Sequence, residues 1–423
     1  MLKVKPFLWK IHTNINKGRL HKKERVDDMQ PVFLVLGGTQ NSLPVIRKAQ
    51  ELGLRVLVID PDKNAVAARR ANYFEVEDPN CLECVENIAR KYNVVGSMTR
   101  NELYVATVCY LNEALHLPKQ GEGIGETVRD KYVMKQAFKR DGIVMPEPFY
   151  KIENKEELEK VRAELEIDLL DSPFIVKPSD QRGSIGITKI ERIKQFDKAV
   201  AKALKRANNQ KVIVEKFVNG QQLGAQGFSI DGELVKCFIS RKTYSPTFVS
   251  LGHSFPISLS PEEIRAIEEE CSKALRSLGI MNGPSTIDIS LDKKGKPHII
   301  EIGARAGGTV LPETILAHTG IDLVKASVAL ASGMKVEFPM PKNVPVAAHK
   351  LSFPKSGKIK NIRNYHKLIQ HYKPAGFELH INRNMDVIAN REYGYVIITG
   401  NTGIAEKKCS EFILELRNLI DLY

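Results

Sequence analysis

The sequence has no apolar run approaching the roughly 20 residues that span a bilayer, which argues against a membrane-spanning helix and predicts a water-soluble chain with no membrane partner. Its first 28 residues lack the long apolar stretch of a secretory signal. Six cysteines include one C-x-x-C pair, Cys81 and Cys84, but no second pair and no neighbouring histidine to complete a zinc site. The apolar spacing of Leu82, Val85 and Ile88 puts that pair on a helix as packed thiols, and the cysteine usage predicts a reducing, cytoplasmic compartment. Internal repeats are missing, as is any nucleophilic triad.

Two absences bear on the partner. Asp60 follows Gly37 by 23 residues, near the spacing of a ribose-binding acid, but "GGTQNS" lacks G-x-G-x-x-G, which argues against a dinucleotide. The net charge of +13 invites a nucleic-acid reading, yet no basic block or aromatic-rich RNA-binding motif accompanies it. Residues 1–28 hold eight Lys or Arg against Glu24, Asp27 and Asp28, or +5, leaving a diffuse +8 elsewhere. Diffuse positive charge suits small anionic substrates, and no nucleic-acid partner is expected.

A chain of 423 residues predicts two or three domains. Residues 1–28 read as a basic tail without a packed fold, with a weak transit-like peptide or an upstream start as alternatives. From Val32, short apolar strands alternate with amphipathic helices, which predicts a parallel-sheet α/β domain over 29–125. A second region, 126–336, mixes hairpins and helices, including a helix capped by Ser260 with Glu263 completing a capping box. Residues 337–423 read as a small α+β domain, and a homodimer is a possible assembly.

The chemistry concentrates in the second region. In "SPFIVKPSDQRGSIGITKI", an apolar strand delivers Lys177 into a loop holding Ser179, Gly183, Ser184 and Gly186, which predicts a flap over phosphates. In "VIVEKFVNG", Glu215 and Lys216 end a strand before Phe217 and Val218, a hinge able to offer backbone groups to an adenine edge. Lys131 is a further cation upstream. Asp288 and Glu301 flank the "KKGK" turn, where an antiparallel hairpin brings them together; paired carboxylates are costly unless a cation lies between them, and Mg²⁺ suits oxygen ligands shared with nucleotide phosphates. Two solvated strand-edge acids are the alternative reading. Arg305 stands four residues beyond Glu301, placed to hold a carboxylate or phosphoryl group. Lys242 and His253, in the 240–256 segment, are candidate anion-recognising residues.

In this order Lys131, Lys177 with its Gly-Ser-x-Gly loop, "VEKFV", Asp288, Glu301 and Arg305 resemble the ATP-grasp superfamily over about residues 31–336, and most closely its carboxylate–amine ligases, which join amino acids or other small metabolites. The resemblance implies a pre-ATP-grasp α/β domain, an ATP-grasp domain of two α+β subdomains with a flexible lid at about 172–218, and a small C-terminal domain. It also implies ATP contacts by Lys131, Lys177, Ser179, Gly183, Ser184, Gly186, Glu215, Lys216, Phe217 and Val218. Asp288 and Glu301 would hold Mg²⁺ or Mn²⁺, with Arg305 and Lys177 catalytic and Lys242, His253 and Arg305 facing substrate. The expected reaction activates a small carboxylate as an acyl phosphate and joins it to an amine, releasing ADP and phosphate. A carboxylase, a carboxylate–thiol ligase and a non-catalytic nucleotide-binding regulator stay open. Gly303 and Gln222 depart from the family pattern, where Asn and an acid are common.

Overall fold

The computed structural model describes residues 30–168, 172–246 and 248–423; the basic tail expected at 1–28 lies outside them. Alternation in the first part resolves into a parallel sheet ordered β3-β2-β1-β4, from β1 (Val32–Leu36), β2 (Arg55–Asp60), β3 (Tyr73–Val76) and β4 (Val94–Met98). The helices α1 (Leu43–Glu51) and α2 (Leu82–Ala89) connect β1 to β2 and β3 to β4, α3 (Val105–Ala114) follows β4, and all three pack against the sheet. Because side chains cover both faces, β1 is buried along its whole length and reads as an unbroken apolar run. Asp60 accepts hydrogen bonds from the backbone N–H of Gly38 at 2.6 Å and of Asp62 at 2.9 Å. It therefore holds the loop after β1.

One local expectation is corrected. Cys81 and Cys84 are not separate packed thiols but are joined as a disulfide. Cys81 stands just before α2, where the chain entering the helix turns its sulfur back onto the first turn; helical spacing alone does not show this.

Beyond α4 (Ile124–Arg129) and α5 (Lys131–Arg140) the strands pair antiparallel. A four-stranded sheet, ordered β5-β8-β6-β7, takes β5 (Phe149–Ile152), β6 (Phe174–Pro178), β7 (Thr188–Ile190) and β8 (Val212–Lys216). Against it pack α6 (Lys155–Asp168) and α7 (Phe196–Leu204), whose apolar face closes a core of its own around Phe174, Val176 and Phe196. This is the sheet that carries Lys177 and the glycine-rich loop.

The large sheet runs β13-β12-β9-β10-β11-β14-β18-β16. Its strands are β9 (Gly220–Ile230), β10 (Glu233–Tyr244), β11 (Ser250–Phe255), β12 (Gly283–Asp292), β13 (Pro297–Gly303), β14 (Val346–Lys350), β16 (Gly376–Leu379) and β18 (Gly394–Thr399), while β15 (Gly357–Ile362), β17 (Asp386–Val387) and β19 (Ile420–Leu422) form a small sheet beside it. The last segment of the chain thus extends the sheet that bears Asp288 and Glu301. α8 (Pro261–Ser277) begins at the expected capping box, Ser260 with Glu263, and buries Ile267, Cys271, Ala274 and Leu275 against the sheet. α9 (Leu311–Thr319) and α10 (Leu323–Ala331) follow; α10 lies on α1 and β4, tying the first sheet to the large one. Among the described residues no single helix is long and apolar enough to cross a membrane.

Candidate active site

Asp288 and Glu301 face each other directly in the β12–β13 ladder, with a bulge immediately after Asp288. Directly opposed residues of an antiparallel pair share one face of the sheet, so the two carboxylates are neighbours. Their side chains are 40% and 32% exposed, open enough to meet a ligand. Each is paired with a lysine: Asp288 Oδ1 lies 2.7 Å from Lys242 Nζ, and Glu301 Oε1 lies 3.1 Å from Lys131 Nζ. Among the described residues no group of three or more His, Cys, Asp or Glu side chains is placed to hold a metal ion by itself. Two carboxylates fit a cation that takes its remaining ligands from phosphate and water, as Mg²⁺ does.

Gly224 explains how Lys242 reaches Asp288. Lys242 is on β10 and Asp288 on β12, with β9 between them. A Cβ on Gly224 would stand 2.8 Å from Lys242 Cδ and 3.4 Å from His253 Cε1, so the bare glycine is what lets the lysine cross. Burial opposes the charge on Lys242, but Asp288 and Tyr244 together outweigh it and the net shift is upward. His253 pairs with Lys242 across β10 and β11, and its Nδ1 is 2.9 Å from Ser240 Oγ. Burial first, and then the charges of Lys242 and Lys350, push its pKa well down, so it is neutral. A neutral buried imidazole does not supply positive charge to an anion; of the two, only Lys242 carries charge, and it is paired with Asp288.

Lys177 is buried at the end of β6, its Nζ 2.5 Å from Glu215 Oε1. Sequence reasoning missed the third member of this cluster: Lys135, 1% exposed, contacts the other oxygen, Glu215 Oε2, at 2.7 Å. Its signal was available, since Lys131 and Lys135 lie four residues apart on one face of α5. Burial works against the Glu215 carboxylate, yet the two lysines hold its pKa at about 2. Burial likewise opposes both ammonium groups; Glu215 and Glu301 raise Lys177 overall, while Lys135 stays lowered, with Lys177 among the causes. The Glu215 side chain is therefore a counter-ion inside the protein, and its backbone lies in the sheet between Phe149 of β5 and Ile175 of β6.

The glycine-rich loop is latched at several points. Gly183, Ser184 and Gly186 all have positive φ, which the two glycines adopt without strain. Lys131 Nζ donates to Gln181 O at 2.6 Å, Ser184 Oγ donates to Phe248 O at 2.7 Å, and the Arg182 guanidinium donates to Asn101 Oδ1. Ser179 is fully buried and accepts from Asn209 Nδ2 at 2.7 Å, so it braces the loop from below. At the hinge, the N–H groups of Lys216 and Phe217 donate to Pro148 O and Pro173 O, and Val218 O accepts from Ser290 Oγ. Gln222 also donates to Ser290 Oγ, at 2.8 Å, which gives this residue a bracing role beneath the hinge.

Arg305, beyond β13, forms an ion pair with Glu102, Nε to Oε2, at 2.5 Å, and donates from Nη1 to Ala306 O at 2.9 Å. Glu102 was not singled out from the sequence. It follows β4, outside the carboxyl end of the parallel sheet, where ligand sites of such sheets form. A Cβ on Gly303 would lie 2.8 Å from a Glu102 carboxylate oxygen. Gly303 therefore makes room for an acid arriving from the first sheet.

The profile of the ATP-grasp domain family matches residues 170–313, the interval that holds Lys177, the flap, the hinge, both carboxylates and Arg305. The chain carries an ATP-grasp domain. Alanine–anticapsin ligase of Bacillus subtilis strain 168 is 29% identical over 282 residues, covering 60% of this chain and 58% of that protein, so the chain spans little more than half the length of this curated relative. Among solved structures, an L-amino acid ligase from Bacillus licheniformis superposes with a TM-score of 0.74 at 21% identity, covering 93% of this chain and 98% of that one. N5-carboxyaminoimidazole synthetase from Staphylococcus aureus, solved with ADP, gives 0.75 at 16% identity over 91% and 98%. The ATP-grasp architecture expected from the sequence is the one observed.

Proposed function

We propose that this ATP-grasp protein is an ADP-forming carboxylate–amine ligase acting on small molecules. The observation that carries the reading is the opposed Asp288–Glu301 pair, with Lys131 and Lys242 ion-paired to it, Lys177 buried within reach of both charges, and Arg305 four residues beyond Glu301, held by Glu102. Cations gathered round a pair of acids provide charge neutralisation and alignment, which is most of what phosphoryl transfer asks of a protein. The likeness to ligases that join amino acids supports the same substrate class.

Lys177 and Lys131 would bind the ATP phosphates, with residues 179–186 as the covering flap and the hinge at Glu215–Val218 against adenine. Asp288 and Glu301 would hold Mg²⁺, which supplies charge neutralisation at the phosphates when bound. A carboxylate oxygen of the acid substrate attacks the γ-phosphorus, the bond to the ADP oxygen breaks, and an acyl phosphate results. The amine nitrogen then attacks the acyl carbon, phosphate leaves with the C–O bonding pair, and the nitrogen loses a proton. Arg305 orients the acyl phosphate, and the closed flap keeps water from it. Glu102 is a positioning residue that fixes the Arg305 guanidinium.

The test is ADP and phosphate release from MgATP across a matrix of amino acids and small carboxylates, with mass spectrometry of each mixture. Release that needs both an acid and an amine, with a new amide mass, is the expected result. AMP release, or turnover that needs bicarbonate and no other acid, would overturn the reading.

A further inference from the structure

A cavity of about 260 Å³ adjoins the Glu102–Arg305 pair without including Glu102. Its wall comes from the end of β4, α3, residues 118–120, the start of β12, residues 304–305 and α10. The two chain segments that form its wall next to the pair, ending at Thr99 and beginning at Ala304, are those that lead into Glu102 and Arg305 themselves. It lies at the end of β12 away from the hinge: the hinge-side residue Asp292 pairs with Gly220, whereas Gly283 in the cavity wall pairs with Ser229. Along β12 the order is thus hinge, Asp288, cavity.

The lining determines what fits. Met98, Pro118, Pro284, Leu330, Ala331 and Met334 present apolar surface. Most polar side chains in the wall are already bonded within the protein: Ser97 Oγ donates to Asn112 Oδ1, Thr99 Oγ1 to Leu36 O, Gln120 Nε2 to Ala304 O, Asn282 Nδ2 to Lys119 O, and Ser327 Oγ to Leu323 O. Of the charged lining residues, Arg305 is paired with Glu102, Lys119 with Glu122, and Asp231 is exposed. A buried polar group that has its partner makes no demand on a ligand, so the wall favours a neutral, mainly apolar occupant. An apolar cavity of about 150 Å³ accepts a benzene ring, and this one is larger.

We propose that this cavity is the specificity pocket for one substrate of the ligase, receiving the neutral aliphatic or aromatic side chain of an amino acid whose reacting group lies at Arg305. The inference rests on the ligase reading above and names the substrate class for that same site. An anionic side chain is excluded because the two cations in the wall, Arg305 and Lys119, are already ion-paired.

Two variants narrow the pocket, Ala331→Leu and Met334→Trp, so that failure of one to fold leaves the other. Binding of glycine, L-leucine, L-phenylalanine and L-glutamate to the full chain is read by calorimetry with MgADP present, alongside ADP release from MgATP with the same compounds. In the wild type L-leucine or L-phenylalanine should bind more tightly than glycine or L-glutamate. A folded variant should lose that preference by about tenfold or more, as expected when a side chain of this size is kept from burial. Variants with a higher melting temperature and unchanged preference would mark the cavity as mere packing space and overturn the pocket, as would a wild type that prefers glycine or L-glutamate. Selective binding without ADP formation in any mixture would keep the pocket and sink the ligase reading. ADP formation indifferent to both variants would do the reverse.

Discussion

Glu102 and Arg305 meet at 2.5 Å although one follows the last strand of the parallel sheet and the other follows β13 of the large antiparallel sheet. The contact exists because residue 303 has no side chain. It couples the first sheet to the arginine proposed above to orient the acyl phosphate, and an ion pair at this level of burial depends on both partners.

Glu102→Gln should lower the rate of ADP formation by on the order of 10²-fold, the penalty typical of a catalytic group displaced by about 1 Å. Gly303→Ala pushes on the same carboxylate and should reproduce the defect in milder form. Steady-state kinetics with ATP varied should show the loss mainly in kcat, since neither residue touches the expected nucleotide site. An equal loss in both variants through a raised KM for ATP would contradict the positioning role.

Glu301→Ala should abolish ADP formation while the melting temperature stays near that of the wild type, because the side chain is a third exposed and its partner Lys131 retains Gln181 O. Normal ADP production by this variant would remove the metal-site assignment. Titration of Mg²⁺ against the Asp288→Asn protein should show a weakened requirement-forming site, read as a raised Mg²⁺ concentration at half-maximal rate.

Glu215→Ala strands two buried lysines and should cost about 3–5 kcal/mol of stability, measurable by denaturant unfolding. Adding Lys135→Met to Glu215→Gln should recover part of that loss, since one stranded charge is then gone. Lys177→Met instead leaves Glu215 with Lys135 and should act chiefly on ATP, raising its dissociation constant by roughly tenfold or more.

Acid should destabilise the fold in two windows. Burial pushes His349 down to about 4 and His253 well below its usual range. In the unfolded chain both take up a proton near pH 6.5, so stability is lost as pH falls from there toward the folded values, at about 1.4 kcal/mol per pH unit for each histidine. Glu392, pushed up to about 7 chiefly by burial, takes up its proton in the folded chain first and offsets about one histidine's share. Glu215, held at about 2, contributes stability above the unfolded carboxylate range that is lost as pH falls from about 4.5 toward 2. Unfolding curves between pH 8 and 4 should steepen below 6.5, and His349→Gln should flatten part of that slope.

Much of the fold was legible in the chain. The unbroken run Val32–Leu36 announced a strand covered on both faces, and Ser260 with Glu263 announced the start of α8. The hairpin that sets Asp288 against Glu301 followed from two apolar strands and a short turn between them. Lys177 at a strand end before a glycine-rich loop was equally local. These features depend on period, capping and turn chemistry within a few residues, and such signals survive in one dimension.

What the sequence by itself determined was therefore the set of groups: which acids pair across a hairpin, which lysine ends a strand, which loop bends freely. Only the tertiary structure decided their partners. Lys135 joined the site because Glu215 is buried between two lysines, Lys242 because Gly224 leaves the space to cross a strand, and Glu102 because Gly303 leaves space from another sheet. Each depends on a distance between residues far apart in the chain, and the last two also on the volume a missing side chain leaves open. Neither quantity has a period or a spacing that the sequence could display.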